Sequence, residues 1–473
     1  MTRDAFPKRG LACGPIRAAV WVLCVAVAAF PRSVAAQQAR PSFPVTVQQA
    51  VQHAVDNYPA IRASMARMSA QESGVDLART SYLPRLDSSL QINRATRNNV
   101  AGLLLPGTTI PAISGPVSDA TSASTIWGSA GGLLLSWEAF DFGSRGASVD
   151  LARSLVTRAS AGAALTRLEV GVKTAEAFLR LAAAQETVRA ARANVERQQI
   201  FASSVATLVR NQLRPGADDS RAQAEMAAAR IQLIQAEQAE QIARAGLAQW
   251  LGASPAEVQI AGSPLLATPP PLPAQAPAAA THPLAETQMA TVDSSRAIQQ
   301  VLARSSFPRI HLQTAYALRG TGATAGGTNR GGTRGLDFET SNWAVGLTAT
   351  FPLFDIFSLR ERTRIEAQNE RAERATYERV VQELSAQAAQ ARAEMDGARR
   401  VAEHTPVRLQ AARVLEQQSR ARYDAGLATI VEVADAQRLL LQAEVGNAIA
   451  TLSVWQALVA EAAATGDITP LLR

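Results

Sequence analysis

Asp424-Ala425-Gly426-Leu427-Ala428, residues 424–428, form a tight turn between two long helical stretches, and the chain is read outward from it. The outgoing arm runs from about Arg360 to Tyr423 and the return from about Thr429 to Ala464. At 1.5 Å per residue the outgoing arm is roughly 100 Å long. A globular domain has no need of such a length, so the sequence suggests a protein built to span a distance. An earlier stretch repeats the plan. It has an arm from about Ser144 to Gln212, a turn at Arg214-Pro215-Gly216-Ala217 and a return from Asp218 to about Leu251.

Upstream of the first arm, Thr46-Val47-Gln48-Gln49 fits a capping box. A helix is predicted from there to about Ser81, bent near Pro59. The next residues alternate, with Leu86, Ser88, Leu90 and Ile92 on one face and Asp87, Ser89, Gln91 and Asn93 on the other. A period of two with one apolar face indicates a half-exposed strand. A Gly/Pro/Ser/Thr-rich loop follows, residues 98–125, then a second strand from about Ile126 to Trp137 with Trp127, Leu133, Leu135 and Trp137 on one face. The long helix after it carries Leu165, Leu168, Val172, Ala175, Leu179 and Ala182 at three-four spacing, the pattern of closely packed helices. The helix before the strands and the return helix are together about as long as the arm. Two half-length helices stacked end to end therefore fit beside one long one.

A Pro/Ala-rich linker, residues 263–283, separates this copy from a second. In the second copy a helix from about Leu284 to Arg304 ends at Ser306-Phe307-Pro308-Arg309-Ile310, which echoes Ser81-Tyr82-Leu83-Pro84-Arg85-Leu86. A strand with Ile310, Leu312, Tyr316 and Leu318 on one face follows, then a Gly/Thr loop, residues 320–335. The last strand sets Trp343, Val345, Leu347, Ala349 and Phe351 against Asn342, Ala344, Gly346, Thr348 and Thr350. The chain is thus read as residues 1–36, a signal segment; 37–262, a first structural repeat; 263–283, the linker; and 284–473, a second repeat. Pro406 interrupts the second arm, which either bends there or divides into two helices.

Residues 1–36 have basic residues ahead of an apolar run from Ala18 to Phe30 and a small-residue cleavage pattern at Val34-Ala35-Ala36, as secretory signals do. They contain Arg3, Lys8, Arg9, Arg17 and Arg32 against Asp4, a balance of +4 out of the chain's +7. The remainder, about +3, is too mild and too scattered to indicate nucleic acid. Both cysteines, Cys13 and Cys24, fall in this segment, so the rest of the chain has neither disulfide nor thiol chemistry. No later apolar run reaches about 18 residues, so a membrane crossing requires a β-barrel. His53, His282, His311 and His404 are scattered without metal-ligand spacing, and no nucleophile-base pair or phosphate loop is evident, so no cofactor, metal or catalytic site is expected.

Each copy contributes two strands of membrane-crossing length, and four strands cannot close a barrel, for which about eight is the lower limit. Three chains supply twelve. A closed barrel continued by helices roughly 100 Å long is a tube. The junctions Phe140-Asp141-Phe142-Gly143 and Pro352-Leu353-Phe354-Asp355 carry a specific resemblance. So do the tip Arg422-Tyr423-Asp424-Ala425-Gly426-Leu427 and Val431-Glu432-Val433-Ala434-Asp435-Ala436-Gln437 beyond it. With these motifs in duplicate order the chain resembles the TolC family of outer-membrane factors over nearly all its length after the signal segment.

The resemblance implies a membrane α+β fold. It is a trimeric channel-tunnel in which a 12-stranded β-barrel, four strands per chain, continues into a long α-helical barrel, with the chain internally duplicated. It implies a homotrimer in outer-membrane lipid with a long periplasmic extension. Such a duct passively serves efflux or type I secretion, with a periplasmic adaptor and an inner-membrane transporter at the helical end. The rival reading is a periplasmic coiled-coil adaptor or structural protein without a pore, for which four apolar-faced strands have no use.

By position, the resemblance places the constriction at Glu432 and Asp435, three apart on one helix face, with Tyr423 as a latching residue. In a trimer each acid becomes a ring of carboxylates that favours cations. The alternative reading of Glu432 is helix capping, since Thr429-Ile430-Val431-Glu432 is itself a capping box. Asp218 and Asp219 at the first tip read as helix-capping residues before gate residues. The family's latching arginine falls at Ala428 here, which leaves the closed state to be held another way. Trp127, Trp137, Trp343 and Phe351 read as lipid-facing or interfacial anchors.

Overall fold

The computed structural model describes residues 44–96, 123–261, 279–322 and 332–469. The chain divides into two units, residues 1–40 and 41–473, and everything described lies in the second. The expected signal segment with Cys13 and Cys24, most of the two inter-strand loops and residues 263–278 of the expected linker lie outside the described residues.

One order of elements occurs twice. The first is α1 (Val47–Asn57), α2 (Pro59–Thr80), β1 (Arg85–Thr96), β2 (Thr125–Phe140), α3 (Ser144–Arg210) and α4 (Gly216–Leu251). The second is α5 (Pro283–Ser305), β3 (Arg309–Thr321), β4 (Thr340–Thr350), α6 (Asp355–Asp424) and α7 (Ile430–Thr465). Thr46 starts α1 with the expected reciprocal cap: the Gln49 N–H donates to its hydroxyl and its own N–H donates to the Gln49 side chain. The single bent helix expected before β1 is instead two helices. Tyr58 adopts extended backbone (φ −65°, ψ 133°), as the residue before a proline prefers, and Pro59 restarts the helix at its first position.

The second arm begins at Asp355 rather than Arg360 and runs unbroken through Pro406. Proline removes the N–H that the Ala402 carbonyl would accept from. The Thr405 hydroxyl donates to that same carbonyl at 3.3 Å and takes over part of the lost bond. The first arm ends at Arg210, before the expected Gln212, which adopts a left-handed turn conformation (φ +60°).

The helices form the expected side-by-side arrangement. Both α2 and α4 pack along α3, and α5 and α7 each pack against both α3 and α6. Each long helix is therefore flanked by half-length partners. The main core lies where the half-length helices meet, around Phe178, Leu179 and Leu181 of α3, Leu247 of α4 and Leu452 and Leu458 of α7. Of the expected α3 stripe, Leu168, Val172, Ala175, Leu179 and Ala182 are buried and Leu165 is half-buried. By composition α7 is apolar enough to cross a membrane, which the sequence reading did not recognise. Half of its apolar window is buried within the protein, so its hydrophobicity serves helix packing.

Histidines make the joints between half-length helices, a role their scatter in sequence did not reveal. His282 is 3 % exposed. Its Nδ1 accepts from the Leu284 N–H at 3.0 Å and so caps α5. Its Nε2 therefore carries the proton and donates to the Ala463 carbonyl near the end of α7 at 2.9 Å. Gly466 follows in the left-handed region (φ +77°), and a Cβ there would sit 2.6 Å from Pro283, so only glycine fits. In the first copy His53 Nε2 lies 3.2 Å from the Leu251 carbonyl that ends α4, and Tyr58 packs on Trp250.

The strands form one antiparallel sheet in the order β1-β2-β3-β4. Register aligns the expected faces across all four strands: Leu86 pairs with Leu135, Leu133 with Tyr316, Trp137 with Leu312, and Tyr316 with Trp343. One face is predominantly apolar and largely exposed, with Leu90 at 73 %, Leu347 at 71 % and Trp343 at 78 %, and Ser88, Ser129, Thr314 and Ser341 interspersed. The other carries Asp87, Gln91, Glu138, His311, Gln313, Arg319 and Thr348. A bulge between Glu138 and Phe140 shifts the register by one, so Phe140 pairs with Ile310 and returns to the apolar face.

At the first strand–helix junction, Phe142 (φ +53°) and Gly143 (φ +90°) turn the chain. Asp141 locks the turn. Its carboxylate accepts from the Gly143 N–H at 3.2 Å, the Arg145 N–H at 2.5 Å and Arg145 Nε at 3.1 Å. Burial pushes this carboxyl up, but the hydrogen bonds from Arg145 and Gly143 outweigh it and hold it below the usual range. Arg145 also donates to the Ser81 carbonyl and stacks 4.7 Å over the Tyr82 ring.

Replacing His282 by Ala leaves the α5 cap and the Ala463 carbonyl unpaired in a buried joint. The expected loss is about 2 kcal/mol, read as a lower midpoint in thermal unfolding followed by circular dichroism.

Candidate functional site

The two helical turns, 209 positions apart at Arg214 and Tyr423, meet in space. Tyr423 is the centre of the contact and is fully buried. Its ring lies edge-on to Phe201 with centroids 5.4 Å apart, and the Arg214 guanidinium sits 4.3 Å over it. Its hydroxyl donates to Asp218 Oδ2 at 3.0 Å, and Arg214 donates to its backbone carbonyl. Val205, Ala222, Ala428, Ile430 and Val433 complete a small apolar core around it. Pro215 starts α4 in extended backbone and makes no side-chain cap. Asp218 and Asp219 lie in the first turn, where negative charge suits the helix dipole. Neither caps the helix: Asp218 serves Tyr423, and Asp219 accepts from Gln223 at 2.9 Å.

Ala428 is 7 % exposed inside this core, a place with no room for an arginine. The cation at the contact comes from the first turn, as Arg214. Neither Arg214 nor Phe201 was singled out from the sequence. The only local sign was the arginine's position beside Pro215-Gly216, since both partners lie some 200 positions from Tyr423.

Glu432 and Asp435 are exposed on the first two turns of α7. The Thr429–Glu432 capping box is formed. Glu432 Oε1 accepts from the Thr429 N–H at 3.1 Å and from its hydroxyl at 3.2 Å. The Thr429 N–H holds the Glu432 carboxyl below the usual range, with the hydroxyl and Arg422 adding to the effect. Asp435 accepts from Arg438 at 2.8 Å in an exposed pair. Beyond them on α7, away from the tip, Gln437 is buried with no hydrogen bond to its side-chain amide. Among the described residues no cluster of His, Cys, Asp or Glu is arranged to hold a metal.

The expected anchors are distributed along the sheet. Trp137 and Phe351 are at its helix-proximal end, and Trp137 Nε1 donates to the Tyr82 carbonyl at 3.0 Å. Trp127 and Trp343 lie towards the other end, where Arg94 packs over Trp127. All but Phe351 are on strands in the apolar register; Phe351 follows β4, is exposed, and lies near the junction aromatics Phe140, Phe142 and Phe307 only in the sense of sharing that end of the sheet.

Burial raises the Tyr423 hydroxyl to about 12, and its hydrogen bond to Asp218 adds to the shift. The folded value lies above the unfolded value of 10.0, so the bond's stabilisation is present at neutral pH and is lost as pH rises from 10 to about 12. Tyr423→Phe keeps both ring contacts and removes only the hydroxyl. The expected cost is about 1 kcal/mol at neutral pH. An absorbance titration of tyrosinate should lose its latest-titrating component in this variant.

Residues 50–253 and 278–467 match the family described as outer membrane efflux protein. Protein CyaE of Bordetella pertussis is 25 % identical over 431 residues, covering 89 % of this chain and 84 % of that protein. Among solved structures, the outer-membrane channel OprN superposes with a TM-score of 0.71 at 22 % identity, covering 89 % of each chain. The Campylobacter jejuni CmeC outer membrane channel gives 0.73 at 15 % identity, covering 89 % of this chain and 85 % of that one. At these identities the structures speak for the fold, and the family match spans most of the chain. The chain belongs to the outer membrane efflux protein family.

Proposed function

We propose that three copies of this chain close a 12-stranded barrel in the outer membrane. Their helices continue it as a tunnel, which serves as the passive exit duct of a tripartite efflux or type I secretion system. A periplasmic adaptor and an inner-membrane transporter dock at the helical end. The observation that carries this reading is the sheet: one face is predominantly apolar and largely exposed across all four strands, the other bears most of the polar and charged side chains, and β1 and β4 each have a free edge. Because strand directions alternate, β4 of one copy runs antiparallel to β1 of the next, so addition of copies continues the same pairing. Trp127 and Trp137 are ten positions apart, about 33 Å along a strand. A tilt of about 40° reduces this to about 25 Å, the height of the apolar band between the aromatic girdles of outer-membrane barrels.

The helices offer matching seams. On α6, Val407, Val414 and Leu415 are exposed, and on α4 Ile231, Ile234 and Ile242. Counted from their turns, the α6 stripe lies about 14 to 26 Å and the α4 stripe about 23 to 39 Å from the tip, so the two overlap at their ends. These two helices lie on opposite sides of the layer, so packing α6 of one copy on α4 of the next covers both. An adaptor without a pore leaves the apolar sheet face unexplained. Duct function needs no catalytic group, and the contacts at the tip are of a kind that hold or release a closure: one tyrosine hydroxyl, one arginine and exposed carboxylates.

In the trimer Glu432 and Asp435 would each form a ring at the constriction. Glu432→Gln retains the capping-box geometry while removing charge, so it separates the two roles of this residue. In planar bilayers Glu432→Gln/Asp435→Asn should show reduced cation selectivity, with the thermal midpoint lowered only slightly because both groups are exposed. Unchanged selectivity in intact trimers would remove these residues from the constriction. Ile234→Asp, placing a charge on the seam, should shift the detergent-solubilised protein from trimer towards monomer in light scattering. A trimer of undiminished stability would rule out this seam.

A further inference from the structure

A cavity of about 580 Å³ opens at the second strand–helix junction, between α5, the start of α6 and the ends of β3 and β4. Comparison of the two junctions explains its existence. Pro84 and Arg85 correspond to Pro308 and Arg309, and Phe140-Asp141 to Phe354-Asp355. Leu359 then stands where the first junction has Arg145. At the first junction that arginine stacks on Tyr82 and satisfies Asp141. At the second a leucine lines the opening in its place, and Asp355 forms no ion pair among the described residues.

The opening has two chemical surfaces. Val301, Leu302 and Leu359 form an apolar floor, and Arg309, His311 and Arg362 stand at its rim. Arg309 and His311 lie on the polar face of the sheet, in register with Thr350 and Thr348. Among the described residues neither Arg309 nor Arg362 forms an ion pair. The nearby acids are Asp355 on the first turn of α6, Glu138 opposite His311 on β2, and Glu366, one turn beyond Arg362, whose carboxylate accepts from Asn369. Asp355 and Arg362 are two helical turns apart, about 10 Å along the axis, so the carboxylate does not cover the guanidinium. The volume is within the usual range for small-molecule sites.

We propose that this cavity binds a dissolved organic anion with an apolar body. Its carboxylate or phosphate is held by Arg309 and Arg362, and its apolar part lies on Val301, Leu302 and Leu359. Guanidinium groups suit such heads because they donate paired, charge-assisted hydrogen bonds. That the site faces the duct's lumen rests on the proposed function; the binding itself does not. Three copies would ring the base of the barrel with anion sites, well away from the acidic residues at the tip.

The test is titration calorimetry of the purified full-length protein in nanodiscs of zwitterionic lipid, with 2-naphthoate as the anionic probe and 2-naphthol as its neutral counterpart. Saturable naphthoate binding of one per chain is expected, weaker by at least about tenfold for naphthol and for Arg309→Gln. Leu359→Arg should rebuild the ion pair of the first junction with Asp355, fill the opening and weaken naphthoate by a similar factor while the protein stays folded. No saturable binding, equal binding of naphthol, or undiminished binding by Leu359→Arg would overturn the proposal. So would loss of naphthoate binding when anionic lipid is added to the nanodiscs, which would assign the site to a lipid headgroup. Single-channel conductance without probe reports on the duct separately: conducting protein that binds no naphthoate sinks only this inference, and non-conducting protein that binds it sinks only the duct.

Discussion

Backbone N–H and C=O groups have no water to bond in hydrocarbon, so a sheet is stable there only when it has no free edge. The four strands of this chain satisfy each other internally and leave two edges, β1 and β4. Their apolar face, exposed at Leu90, Leu347 and Trp343, is poorly suited to water. In the proposed trimer both problems have one solution, because adding copies closes the sheet. The more polar face would then turn inward, and helices that leave the barrel in the same order would close as well, which would cover the apolar stripes of α4 and α6.

The connection between sheet and helices is the second constraint. Side-chain period changes from two to 3.6 within a few residues, and the chain must turn without leaving polar backbone buried. At the first junction the bulge after Glu138 brings Phe140 back to the apolar face, Phe142 and Gly143 turn the chain, and Asp141 gathers the freed N–H groups with Arg145 as its counter-charge. At the second, among the described residues, there is no bulge or left-handed turn: the helix begins directly at Asp355, Leu359 stands where the first junction has Arg145, and a cavity lies between the strand ends and the helices. The two repeats share an order of strands and helices, but one junction is a lock and the other a cavity.

Local patterns were legible in the sequence because their causes are local. Alternation placed the four strands on their faces, three-four spacing identified the α3 stripe, and Thr46 and Thr429 announced their caps three residues ahead. The places where the reading differed depend on partners far along the chain or on atoms that a pattern does not weigh. Pro406 argues for a break, but the neighbouring Thr405 hydroxyl reaches the carbonyl that proline abandons. His53 and His282 look scattered because each joins a helix to one about 200 positions away. Asp218 resembles a helix-capping residue until Tyr423, 205 positions later, is laid against it.

The tip shows how a contact can be specific without being strong. Tyr423 is held by a ring contact, a cation over its face and one hydrogen bond to a carboxylate that is only half-buried. Each is worth about 1 kcal/mol. Farther along α7, Gln437 is buried with an unbonded amide, which subtracts from the stability of the packing there. The large apolar core lies much farther along the helices, around Phe178 and Leu458, and holds α3 and α7 together there. Stability is thus concentrated near the half-helix joints and thin at the tip. Helices with that distribution have a firm middle and an end that can change its packing at small cost, which suits the proposed role of that end as the duct's opening.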